Sequence, residues 1–139
     1  SILVEKEFPH IEYLADVPAV YNFKSYKTLS LPGAYSVDKY YRLARHLTWY
    51  EDEQLDEKEM ELGRKLCRNE APFDLVLSHT CPYLYEPTDL FLAGLDQSTV
   101  DSTMERYLGE IEFNLDYKRW PLDIFMPTGC IHGLMADRC

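Results

Sequence analysis

Short apolar and alternating runs open the chain: Ile2 to Val4, Ile11 to Leu14, Val20 to Phe23 and Thr28 to Leu31. Pro9, Asp16, Pro18 and the pair Lys24-Ser25 break them. Runs of this length, bounded by turn formers, predict a series of short, mostly antiparallel strands. Pro32-Gly33 ends the last of them, and a Tyr-rich loop carrying Tyr35, Tyr40 and Tyr41 is expected to follow. Tyr is a common packing residue at sheet margins, which is favoured here over a role in lining a substrate cleft.

The pattern then changes period. Glu51 to Glu61 is strongly acidic, and Asp56 with Glu59 has the spacing of a capping box at a helix start. Leu55, Leu62 and Leu66 fall on one face of that helix, which is expected to end near Cys67-Arg68-Asn69. Pro72 introduces a strand from Phe73 to Ser78. A second helix is predicted from Ser98, with Asp101 as its reciprocal cap and an apolar stripe of Val100, Met104, Leu108, Ile111 and Leu115. Strands, helix, strand, long loop and helix in this order predict a layered α/β domain. There is no internal repeat and no low-complexity segment.

At 139 residues the chain is one domain or a piece of a larger one, long enough to bury a core. No apolar run approaches membrane-spanning length, so the chain reads as soluble and globular. Its net charge of -10 gives no electrostatic help toward phosphate backbones or anionic membranes, which makes nucleic acid an unlikely partner. No basic and apolar leader is evident at Ser1. Because the chain does not begin with Met, a trimmed start or a fragment is expected. Cys67, Cys81, Cys130 and Cys139 show no framework spacing and are read as reduced thiols of a cytoplasmic protein.

Four groups of residues bear on chemistry. His79 stands directly after an apolar strand, where a rigid scaffold holds a side chain still and facing outward. A histidine there is either a metal or catalytic residue or a hydrogen-bonded structural one. Ser78, Thr80 and Pro82 pin the turn, and Asp89 and Asp96 lie in the loop beyond. Cys81, two residues on, makes a Cys-His nucleophile conceivable, but no third orienting residue is at hand and a small buried thiol is the commoner case. The carboxylates of Glu51 to Glu61 are spread around a helix, as a solvated face rather than a catalytic dyad. Cys130, His132 and Cys139 match no standard zinc spacing and are fewer than four ligands.

From Glu5 to about Trp120 the chain resembles the C-terminal half of a calcineurin-like metallophosphoesterase of a bacterial and phage-type branch. The residues that carry the resemblance are Gly33-Ala34-Tyr35-Ser36-Val37-Asp38-Lys39, Trp49-Tyr50-Glu51-Asp52-Glu53-Gln54 and Leu77-Ser78-His79-Thr80-Cys81-Pro82. Tyr85-Glu86-Pro87-Thr88 and Asp96-Gln97-Ser98-Thr99-Val100-Asp101 continue it, in order. The resemblance implies a four-layer α/β/β/α sandwich and a phosphoesterase that holds a pair of divalent metals at strand ends. Mixed N/O ligation suits Mn, Fe or Zn. It makes His79 one metal ligand.

The family has five motifs: Asp-x-His, Gly-Asp, Gly-Asn-His-Glu, a strand-end His and Gly-His-x-His. Only the fourth is here, as His79. The last is due two residues after Trp120, where the chain instead reads Pro121-Leu122-Asp123-Ile124-Phe125-Met126-Pro127-Thr128-Gly129. The codons GGA CAT TTT CAT GCC GAC CGG encode Gly-His-Phe-His-Ala-Asp-Arg, a normal family ending. Read one base later they give Asp-Ile-Phe-Met-Pro-Thr-Gly, which matches Asp123 to Gly129. Residues 121–139 are therefore expected to be an out-of-frame tail on the domain portion 1–120, and Cys130, His132 and Cys139 accidental.

The expectation is thus a metal-dependent phosphoesterase by resemblance, catalytically incomplete in this chain, with weak or no metal binding. The rival expectation is a non-catalytic remnant or interaction domain that self-associates or pairs with a complementing chain. A thiol enzyme at Cys81 ranks last.

Overall fold

Two residues, Lys24 and Ser25, reverse the chain between its first two strands. In the computed structural model, which describes residues 9–35, 39–47, 54–85, 101–124 and 131–137, β1 (Ala19–Phe23) and β2 (Tyr26–Leu31) form an antiparallel hairpin closed by Phe23 and Tyr26. Lys24 takes a φ of 56°. Positive φ in a two-residue loop matches the turn to the twist of its strands.

Next come α1 (Lys39–Ala44), α2 (Glu57–Glu70), β3 (Phe73–Ser78), a 3₁₀ turn at Tyr83–Tyr85, α3 (Thr103–Asn114), β4 (Tyr117–Ile124) and β5 (Ile131–Asp137). The five strands make one sheet in the order β1-β2-β3-β4-β5. The described chain is a mixed α/β unit.

The expected capping box is present. Asp56 Oδ1 accepts from the Glu59 amide at 2.8 Å, and Glu59 Oε2 accepts from the Asp56 amide at 2.8 Å. The helix it opens runs to Glu70, slightly past the expected end. Leu55 is buried and Leu66 packs on the core, but Leu62 lies on the exposed side, against expectation. In α3, Met104, Leu108, Ile111 and Leu115 are buried as the stripe requires. Ser98 and Val100 lie outside the described residues. The N-cap position is Ser102, and Asp101 Oδ1 accepts from the Thr103 amide at 2.9 Å.

The strand pairing departs from expectation at the centre of the sheet. β1 with β2 and β4 with β5 are antiparallel, but β3 is parallel to both β2 and β4. The physical reason is the helix between each pair: a helical crossover returns the chain to the same end of the sheet before the next strand starts. Ile11 to Leu14 forms no strand among the described residues, and Ile11 and Tyr13 are exposed. Without a ladder partner, an apolar run has no reason to become one. Tyr40 and Tyr41 belong to α1 rather than to a loop. Ile2 to Val4 lies outside the described residues. The segment 131–137 forms the edge strand β5, with an irregularity in β4 between Leu122 and Ile124.

Both long helices lie on one face of the sheet and touch each other. Tyr107 of α3 donates its hydroxyl to the Met60 carbonyl of α2 at 3.0 Å, and Leu31 of β2 reaches Gly63 of α2. Leu29, Leu31, Val76, Met104, Leu108 and Trp120 are wholly buried between these layers. Full burial is worth about 1.5–3 kcal/mol for each aliphatic side chain of this kind.

Neighbouring strands point paired residues to the same face. Thr28 pairs Leu75 and Ser30 pairs Leu77, so these four face away from the helices that cover Leu29 and Val76. Leu75 and Leu77 are only half-buried.

Candidate functional site at the carboxyl end of the parallel strands

Because β2, β3 and β4 run the same way, their carboxyl ends share one edge of the sheet. In α/β sheets that edge is where loops leave the ladder and ligand groups gather. His79 follows β3 there, at the middle of the sheet, and is exposed. It is the strand-end histidine picked out from the sequence.

A line of hydrogen bonds runs past it. The Trp120 indole of β4 donates from Nε1 to Ser78 Oγ at 2.8 Å. Ser78 Oγ donates to the Thr80 carbonyl at 2.7 Å, closing a small turn with His79 at its apex. Thr80 Oγ1 donates to Glu105 Oε1 of α3 at 2.8 Å. The indole has only a proton to give and a carboxylate only lone pairs to offer, so every bond points the same way. The residues on both sides of His79 are thereby tied to neighbouring elements.

Trp120 is wholly buried and meets Tyr117 edge-on, with ring centroids 5.6 Å apart. The other oxygen of Glu105, Oε2, is buried with no hydrogen-bond partner among the described residues. Neither Glu105 nor Trp120 stood out as a site residue in the sequence. A carboxylate in the first turn of a helix answers the helix dipole and looks complete with that role.

On the β2 side of the edge, Gly33 takes a φ of 97°, a backbone region suited to glycine, and Tyr35 beyond it is half-buried. Cys81 is buried in the core cluster, two residues beyond His79. Asp89, Asp96, Cys130 and Cys139 lie outside the described residues. His132 is in β5, on the strand at the sheet's far edge.

Charged groups cluster elsewhere. Arg64 of α2 bonds Glu57 at 2.9 Å and Glu110 of α3 at 3.2 Å, and lies over the Tyr107 ring. Burial alone would lower its pKa, but the hydrogen bonds to Glu110 and Glu57 outweigh that and raise it. The acidic stretch of α2 thus serves partly as an ion-pair face between two helices. Burial pushes the Cys67 thiol up to about 11, against a small opposing pull from Arg68. A thiol that stays protonated is a poor nucleophile.

Among the described residues, no three His, Cys, Asp or Glu side chains come together to hold a metal ion. No helix there is long and apolar enough to cross a membrane. No protein-family model, curated protein or solved structure matches this chain.

Proposed function

We propose that residues 1–120 are the C-terminal portion of a calcineurin-like metallophosphoesterase, a phosphate-ester hydrolase, and that this chain alone is catalytically incomplete. The observation that carries the reading is the place of His79: exposed, beyond the end of a central strand, and flanked by two tethered residues. A strand-end histidine of the family, serving as one ligand of a divalent metal pair, has that place.

The described residues do not fit a resident metal pair. One imidazole is too few donors, since a catalytic metal normally keeps about three protein ligands. The chemistry of the intact family therefore has no complete seat on the described part of this chain. What His79 offers is a single nitrogen donor of a kind that suits Mn, Fe or Zn.

The four-layer sandwich belongs to the same reading. Half-buried Leu75 and Leu77, on the sheet face away from α2 and α3, are what a second sheet would cover. They also favour the alternative class, a non-catalytic domain that pairs with another chain through that face. Strand β5 is neutral on whether 121–139 is out of frame, because backbone hydrogen bonds to β4 need no particular side chains.

Three measurements test this. Metal content and phosphodiesterase and phosphomonoesterase assays with added Mn²⁺ should show little bound metal and no turnover. Metal-dependent turnover that disappears in His79→Ala would overturn the incompleteness. The nucleotide sequence decides the ancestry: an upstream reading frame should supply Asp-x-His and Gly-Asn-His-Glu. A TTT codon at Phe125 or a GAT codon at Asp123 would sink the out-of-frame tail, since either places Tyr where the family has His.

A further inference from the structure

We infer that Glu105 is a positioning residue for His79, acting through Thr80. The inference rests on the reading that the His79 edge is the functional site. It goes beyond that reading in naming what holds the histidine in place.

Three bonds carry the argument. Thr80 Oγ1 to Glu105 Oε1 anchors the residue after His79 to α3, at 2.8 Å. Trp120 Nε1 to Ser78 Oγ anchors the residue before it to β4, also at 2.8 Å. Ser78 Oγ to the Thr80 carbonyl, at 2.7 Å, ties the two anchors together beneath the histidine. The apex residue keeps its own side chain exposed while the polar groups beside it are used internally. One anchor reaches a helix and the other a strand, so the turn is held from two separate elements. A site whose ligand must be held to a fraction of an ångström needs such support from a neighbouring element.

Oε2 of Glu105 is buried and has no partner among the described residues, so this carboxylate is not turned toward solvent. Such an atom costs stability unless something is gained from its position. Its partner oxygen is the anchor of the turn.

Backbone NMR order parameters of His79 and Thr80, measured on the full chain, test the inference. In the wild type both residues should be rigid, near about 0.85. Thr80→Val removes the donor, and Glu105→Met removes the acceptor at similar length. Each should drop both residues below about 0.6 while α3 and β3 keep theirs. Thr80→Ser and Glu105→Gln keep a donor and an acceptor, and should keep the turn rigid.

Unchanged order in Thr80→Val, or equal loosening along all of α3 and β3, would overturn the positioning role. Loosening in either conservative variant would do so too, and this arm decides if the disruptive variants fail to fold. Broadening of the His79 ring signals by added Mn²⁺ reports separately on the metal reading. Its absence, with the order changes intact, would remove the metal and leave the positioning role standing.

Discussion

The hydroxyl of Tyr107 occupies the space where a side chain at Gly63 would begin. A β-carbon built on that glycine would lie 1.9 Å from the tyrosine oxygen and 3.3 Å from the ring carbon bearing it. Tyr107 has little room to yield, because it is buried and bonded to the Met60 carbonyl. Gly63→Ala gains about 1 kcal/mol of helix propensity. It loses about 1–3 kcal/mol to overpacking and about 1 kcal/mol from the displaced hydrogen bond. The expected outcome is a net loss of about 1–3 kcal/mol in urea denaturation. Tyr107→Phe should recover part of that loss in the Gly63→Ala background while being destabilising by itself. Additive effects would show that the two residues are not coupled.

A second relationship predicts pH dependence. Asp74 accepts from Lys118 Nζ at 2.5 Å and from the Lys27 amide at 3.0 Å, and these bonds hold its carboxyl below the ordinary value. A lowered carboxyl pKa stabilises the fold above its unfolded value of about 3.9, and that contribution fades as pH falls through the lower folded one. Lys118, raised by the same pair, contributes below about pH 10.4 and loses its share as pH climbs through its raised value. Asp74→Asn should therefore flatten both limbs of a stability–pH curve measured by denaturation. Added salt should shrink the difference, because Lys118 is largely exposed.

Cys67 offers a chemical probe. With its thiol pushed up to about 11 by burial, alkylation by iodoacetamide at pH 8.5 should run roughly a hundredfold slower in the folded chain than in urea. The raised pKa stabilises the fold fully below the unfolded thiol value of about 8.5, and that stability is lost as pH rises through the folded one. Equal alkylation rates in folded and unfolded chain, followed by mass spectrometry at this residue, would contradict the burial.

The hairpin turn offers a stabilising change. Lys24 holds a φ of 56° without being glycine, and such a conformation costs a non-glycine residue about 1–2 kcal/mol. Lys24→Gly removes that cost but adds freedom to the unfolded chain, worth up to about 1 kcal/mol. A higher melting temperature is expected, with β1 and β2 unchanged. A lower one would mean that the lysine side chain contributes more than its backbone loses.

The helices were legible because their signals are local. Asp56 and Glu59 stand at capping-box spacing, and Met104 through Leu115 repeat on one face within a single element. The partners of each strand were not legible, because alternation tells which side is apolar and not which strand lies alongside. One signal did bear on it: Phe73-Asp74-Leu75-Val76-Leu77 is nearly continuous in apolar residues, as strands of parallel sheets tend to be. Ile11 to Leu14 misled for the opposite reason, having the composition of a strand and no neighbour among the described residues. His79 could be placed from the run before it. Glu105 could not, since its partner Thr80 is distant in sequence and meets it only once α3 folds back on the sheet.

The parallel pairings of β3 also set an order of events. The hairpin of β1 and β2 closes over two residues, whereas β3 meets either neighbour only after a whole helix has been laid down between them. Chain entropy must be surrendered before those long-range contacts return anything, so the centre of the sheet assembles late. Folding kinetics should then be slow for a domain of this size. Destabilising substitutions at Leu75 or Val76 should speed unfolding more than they slow folding.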